Sequence, residues 1–171
     1  MKGSFFIIVT IILAVSLSGC TGILPGQSPE SPTPDQATRE QDVAFREAWN
    51  GSLSTIIPLR DQFSRDLEKQ DWTAVAASAP ELMAGTEQQY YDMSRFSVSP
   101  GVHGIQANYL RSLQELNQAA EEGSKAVVAA TGNNPELAVD HTGRAESHLR
   151  SAGSSLDLAK AAMDTYMRGG S

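Results

Sequence analysis

Apolar residues recur along most of this chain at steps of three and four, the spacing that gathers them on one face of a helix. The first series is Phe45, Trp49, Leu53, Ile56, Leu59, Phe63 and Leu67. The second is Trp72, Val75, Ala79, Leu82, Tyr90, Met93 and Phe96, and the third is Ile105, Tyr109, Leu113, Leu116, Ala120, Val127 and Ala130. The fourth runs Ala138, Ala145, Leu149, Ala152, Leu156, Ala159, Met163 and Tyr166, and half of it is alanine. No long stretch alternates apolar and polar residues with period two. The pattern predicts an all-α domain over residues 35–168, an up-down-up-down four-helix bundle with short connections.

Punctuation residues fall where such helices should begin and end. Asp71 stands before Trp72 as an N-cap, Ser99 before Pro100, and Asn134 before Pro135, while Gly132 should stop the third helix. Two prolines interrupt the pattern. The ring of Pro58 clashes with the carbonyl of Ser54 and removes one backbone bond, so the first helix should kink there. Ser78-Ala79-Pro80-Glu81 reads as a capping box, so the second helix should kink or restart at Pro80. Gly143, Ser147, Ser151, Gly153 and Ser155 allow a neighbouring helix to approach the fourth closely. Residues 169–171 should fray.

Acid–base pairs four residues apart mark the outer faces: Asp42 with Arg46, Asp61 with Arg65, Glu121 with Lys125, Glu146 with Arg150, and Asp164 with Arg168. Each contributes about 0.2–0.5 kcal/mol. The net charge is −7, and Lys2 is the only charge before Cys20. An acidic chain without a cluster of Lys and Arg disfavours nucleic acid and anionic headgroups as partners.

The N-terminal segment gives an address. Lys2 precedes an apolar run from Phe5 to Val15, followed by Leu17-Ser18-Gly19-Cys20. A positive start, a short apolar stretch and small residues make a secretory signal. The run is shorter than the roughly 20 residues that span a bilayer. Leu17-Ser18-Gly19-Cys20 resembles the lipobox of prokaryotic lipoproteins, bacterial or archaeal, and the resemblance covers the first 20 residues only. It implies that residues 1–19 are a signal peptide, that Cys20 carries diacylglycerol, and that the mature chain starts there. The protein would be lipid-anchored to the cell membrane on its extracytoplasmic side. Thr21 after the cysteine would favour the outer membrane in a Gram-negative host. Two acyl chains suit stable anchoring. Residues 20–34, rich in Pro and Ser, cannot bury enough apolar surface to offset ordering entropy and should form a disordered tether.

Candidate chemistry is sparse. Cys20 is the only cysteine, so no internal disulfide can form. Zinc, di-iron, EF-hand, phosphate-loop and nucleophile-elbow patterns are absent from the sequence. The expectation is therefore no catalytic residue, no metal and no cofactor. His141 and His148 stand two turns apart, about 10.5 Å along a helix axis, too far to share one metal. They should sit at the edge of the fourth stripe, with His103 exposed. Trp49, Trp72, Tyr90, Tyr91, Tyr109 and Tyr166 are candidates for a pocket lining, Tyr91 the most exposed. Asn50-Gly51-Ser52 fits a glycosylation acceptor within a predicted helix. No motif specifies a protein partner or an oligomeric state. These features predict a membrane-anchored, non-catalytic interaction or structural module. The alternative is a ligand-binding or sensory bundle with a pocket opened between kinked helices.

Overall fold

The computed structural model describes residues 34–169, with side chains from Thr38 onward. Cys20, the signal segment and nearly all of the tether lie outside these residues. Four helices follow one another: α1 (Pro34–Glu68), α2 (Trp72–Ser94), α3 (Pro100–Thr131) and α4 (Pro135–Gly169), with no strand among the described residues. The all-α expectation holds, with boundaries close to those read from the caps.

Two of the three connections use the same device. After α1, the N–H of Asp71 bonds the carbonyl of Asp66 and that of Gln70 bonds Leu67, with Gln70 at φ 53°. After α3, Asn134 bonds Ala129 and Asn133 bonds Ala130, with Asn133 at φ 58°. This is the Schellman closure, which satisfies the last carbonyls of a helix. In each case the next residue opens the following helix. Asp71 accepts the Ala74 N–H at 3.1 Å, and Asn134 the Leu137 N–H at 3.3 Å. Gly132 does end α3, but the left-handed position belongs to Asn133, while Gly132 has φ −79°.

Both prolines lie within unbroken helices. The restart expected at Pro80 does not form, because the Ser78 hydroxyl donates to the Ala74 carbonyl of the preceding turn, at 3.0 Å, instead of capping. Pro58 and Pro80 are exposed, so carbonyls displaced by their rings can turn to water.

The stripes form one core in which Phe45, Phe63, Val75, Leu82, Leu113 and Leu116 are all buried. On α3 the buried line passes through Ala126 and Ala129 rather than the expected Val127 and Ala130, and leaves Val128 exposed. Tyr166, expected inside, is 38% exposed.

Polar cross-links fix how the helices run. Gln106 donates to the carbonyls of Met93 and Phe96, and Asn117 to Thr86, so α2 and α3 are antiparallel. The α3–α4 link is closer. The buried Ser112 hydroxyl donates to the Ala152 backbone carbonyl at 2.9 Å. His148 meets Glu115 and His141 meets Glu122 farther along, so these helices are antiparallel too. Steps of seven from Ser112 and Ala152 reach Ala119 and Ala145, then Ala126 and Ala138, all buried. Such small residues bring helix axes to the short end of the usual 8–10 Å range.

Of the five expected surface pairs, Glu121–Lys125 forms at 2.9 Å and Glu146–Arg150 at 3.8 Å. Asp61 is held instead by Arg60 at 2.6 Å, and Arg168 bonds the Asp164 backbone carbonyl. Asp42 is buried and bonds Ser99 and Tyr166 instead of pairing with Arg46.

Gly123 and Gly143 separate packing from propensity. A Cβ on Gly123 would lie 2.6 Å from two ring atoms of the fully buried Phe63, whereas one on Gly143 meets nothing within 4 Å. In denaturant titrations Gly123→Ala should cost about 1–3 kcal/mol through overpacking. Gly143→Ala should gain up to about 1 kcal/mol from helix propensity. A Gly123→Ala protein as stable as the wild type would contradict the placement of Phe63.

Candidate functional site

Asp42 organises the end of the domain where α1 begins, α3 begins and α4 finishes. Its Oδ1 accepts the Ser99 N–H at 2.9 Å, and its Oδ2 accepts the Tyr166 hydroxyl at 2.7 Å. The residue is 6% exposed. Burial pushes its carboxyl up, but hydrogen bonds from Ser99 and Tyr166 favour the ionised form more strongly and hold it below the ordinary 3.8. The Asp42 carboxylate in turn raises the Tyr166 hydroxyl.

Beside this node lies an open groove of about 640 Å³ between the early turns of α1 and the last turns of α4. Val43, Val102, Met163 and Met167 form its apolar surface, and Arg39 and Arg46 stand along its α1 side. One terminal nitrogen of Arg46 contacts the Met167 sulfur at 3.2 Å. Neither arginine forms an ion pair with a described residue. A smaller cavity, about 220 Å³, lies at the opposite end among Trp72, Pro135 and Val139.

The histidines do sit at the edge of the buried stripe, and each has a partner across the α3–α4 seam. His141 Nδ1 lies 2.7 Å from Glu122 Oε2, and His148 Nδ1 lies 2.8 Å from Glu115 Oε2. Glu122 also accepts from Lys125 at 2.7 Å. Lys125 first, then His141, hold its carboxyl below the usual range against the effect of burial. Among the described residues, no group of three or more His, Cys, Asp or Glu is placed to hold a metal ion. His103 is exposed.

The six aromatics do not share a pocket. Trp49 and Tyr109 pack edge to face in the core at 6.0 Å, and Tyr109 shares a 2.6 Å hydrogen bond with Ser52. Burial pushes the Tyr109 hydroxyl up to about 12. Trp49 Nε1 is buried and has no hydrogen-bond partner among the described residues. Tyr90 is bonded by Gln114, Tyr91 lies exposed under Arg95, Trp72 borders the small cavity, and Tyr166 lines the groove. Asn50 is exposed in mid-helix, but the Ser52 of its acceptor motif is buried. Cys20 lies outside the described residues.

No protein-family model, no curated protein and no solved structure matches the chain. The groove sets two arginines over an apolar floor, an arrangement suited to binding.

The sign of the pH effect at Asp42 follows from its lowered carboxyl. A group depressed in the folded state contributes fully above its unfolded value and loses that contribution as pH falls through the folded one. Asp42→Asn should cost about 1–3 kcal/mol near pH 7, as expected for a lost charge-assisted buried hydrogen bond. The gap between wild type and variant should narrow as pH falls below 3.8 through the lowered folded value. Thermal melts of both proteins from pH 7 down into the acid range test this, and a gap that widens on acidification would contradict a carboxyl lowered by folding.

Proposed function

We propose that this chain is an extracytoplasmic lipoprotein whose helical domain, arranged up-down-up-down, serves as a non-catalytic interaction or structural module. The observation that carries this reading is Leu17-Ser18-Gly19-Cys20 after the apolar run. Cys20 takes the lipid, residues 20–34 tether the domain, and the domain faces away from the cytoplasm. The helices support this division of labour. None of those described is long and apolar enough to cross a membrane. α1, which such a tether would join, begins at Pro34, at the end of the domain where Asp42 draws α1 and α4 together.

A second reading, a ligand-binding bundle, is favoured by the groove beside Asp42. It differs from the pocket expected between kinked helices, because it opens at the α1–α4 edge rather than at Pro58 or Pro80.

Mass spectrometry of the membrane-extracted protein tests the first reading. It should find an acylated N-terminal peptide beginning at Cys20, and Cys20→Ala should leave the chain uncleaved or release it from its anchorage. An intact Met1 terminus, or an unmodified Cys20, would contradict the anchor.

A further inference from the structure

We propose that the α1–α4 groove binds a single-chain anionic amphiphile, with its carboxylate or phosphate head at Arg39 and Arg46 and its alkyl chain along Val43, Val102, Met163 and Met167. This deepens the ligand-binding reading and does not depend on the anchor. Three observations carry it. First, the two arginines stand seven residues apart on one face of α1. Neither is neutralised by a described carboxylate, although the chain is acidic overall. Arg46 rests on the Met167 sulfur instead.

Second, exposed apolar side chains converge here. Val43 is 46% exposed, Met167 45% and Tyr166 38%, and all three border one groove. Converging apolar exposure beside charge marks a binding surface rather than scattered surface residues. Third, the volume, about 640 Å³, falls in the roughly 300–1,000 Å³ range of small-molecule sites. The floor is narrow, with one residue from α1, one from α3 and two methionines from α4. That suits one alkyl chain, whereas a docked helix needs anchors over successive turns. Unbranched methionines adapt to a flexible chain.

Asp42 also borders the groove and would repel an anion. Both its oxygens are already engaged, by Ser99 and Tyr166, and the residue is 6% exposed. Asp42 keeps its negative charge, so two guanidinium charges stand against one buried carboxylate and leave a net positive groove.

The test uses the full chain in phosphatidylcholine nanodiscs, labelled with a diazirine-bearing fatty acid and, separately, with the corresponding fatty alcohol. The acid should crosslink to peptides holding Val43, Met163 or Met167, at least fivefold more than the alcohol. Dodecyl phosphate should compete, and inorganic phosphate should not. Arg39→Gln with Arg46→Gln should cut labelling at least fivefold while leaving the circular dichroism spectrum unchanged. Met167→Glu, which puts a carboxylate on the floor, should do the same. Equal labelling by acid and alcohol would overturn the anionic specificity while leaving a ligand site. No labelling by either would remove the ligand-binding reading as well. Labelling insensitive to both variants would place the ligand elsewhere. Suppression of labelling in phosphatidylglycerol nanodiscs to the level of the double variant would overturn the free amphiphile in favour of a bilayer headgroup.

Discussion

The close approach of α3 to α4 is the constraint on which the rest of the structure depends. A serine hydroxyl reaches a backbone carbonyl of the facing helix only where the two backbones are near, as Ser112 does with Ala152. The alanines one and two heptads away keep that spacing along the seam, and a seven-residue repeat is the period at which two helices stay in contact along their length. The His141–Glu122 and His148–Glu115 pairs flank the alanine line from one side. A small-residue seam leaves little apolar area to bury per residue. It gains instead from close packing and from the polar bridges beside it.

That choice distributes the bulky residues. With α4 turned toward α3, the large side chains gather where α1 and α2 meet α3: Phe63 over Gly123, Trp49 against Tyr109, Phe45 against Phe96. At the remaining edge, α1 meets the end of α4 through Asp42, Tyr166, Arg46 and Met167. This edge is polar at its node and open beside it. The groove is thus a consequence of how α4 divides its faces: the alanine face is committed to α3, Met163 closes the core at the groove's base, and Met167 beyond it is left with space before it.

Much of the fold was legible in the sequence because its signals are local. A stripe at steps of three and four needs no knowledge of the partner helix, and Asp71, Ser99 and Asn134 act within a few residues of themselves. Gly132 does end α3, and the left-handed position falls one residue later at Asn133, because asparagine is among the few non-glycine residues that visit that conformation. The candidate site was not legible. Asp42 looked like half of a surface pair with Arg46, since a four-residue spacing is visible in one dimension. Its true partners, Ser99 and Tyr166, stand 57 and 124 residues away. The glutamate partners of His141 and His148 were hidden in the same way. The net negative charge disfavours nucleic acid and anionic headgroups as partners, but a sum over the chain says nothing of where single arginines such as Arg39 and Arg46 stand.

The register of the α3–α4 seam underlies the whole arrangement, and engineered disulfides read it directly. With Cys20 replaced by serine, the chain has no other thiol. Cysteines at Ala119 and Ala145 face each other in the seam, and a disulfide requires Cα atoms within about 7 Å. Mild oxidation should close Ala119→Cys with Ala145→Cys quickly and nearly completely, and leave Ala119→Cys with Ala138→Cys open. Equal rates for the two pairs, or faster closure of the second, would contradict the register and the close approach that rests on it.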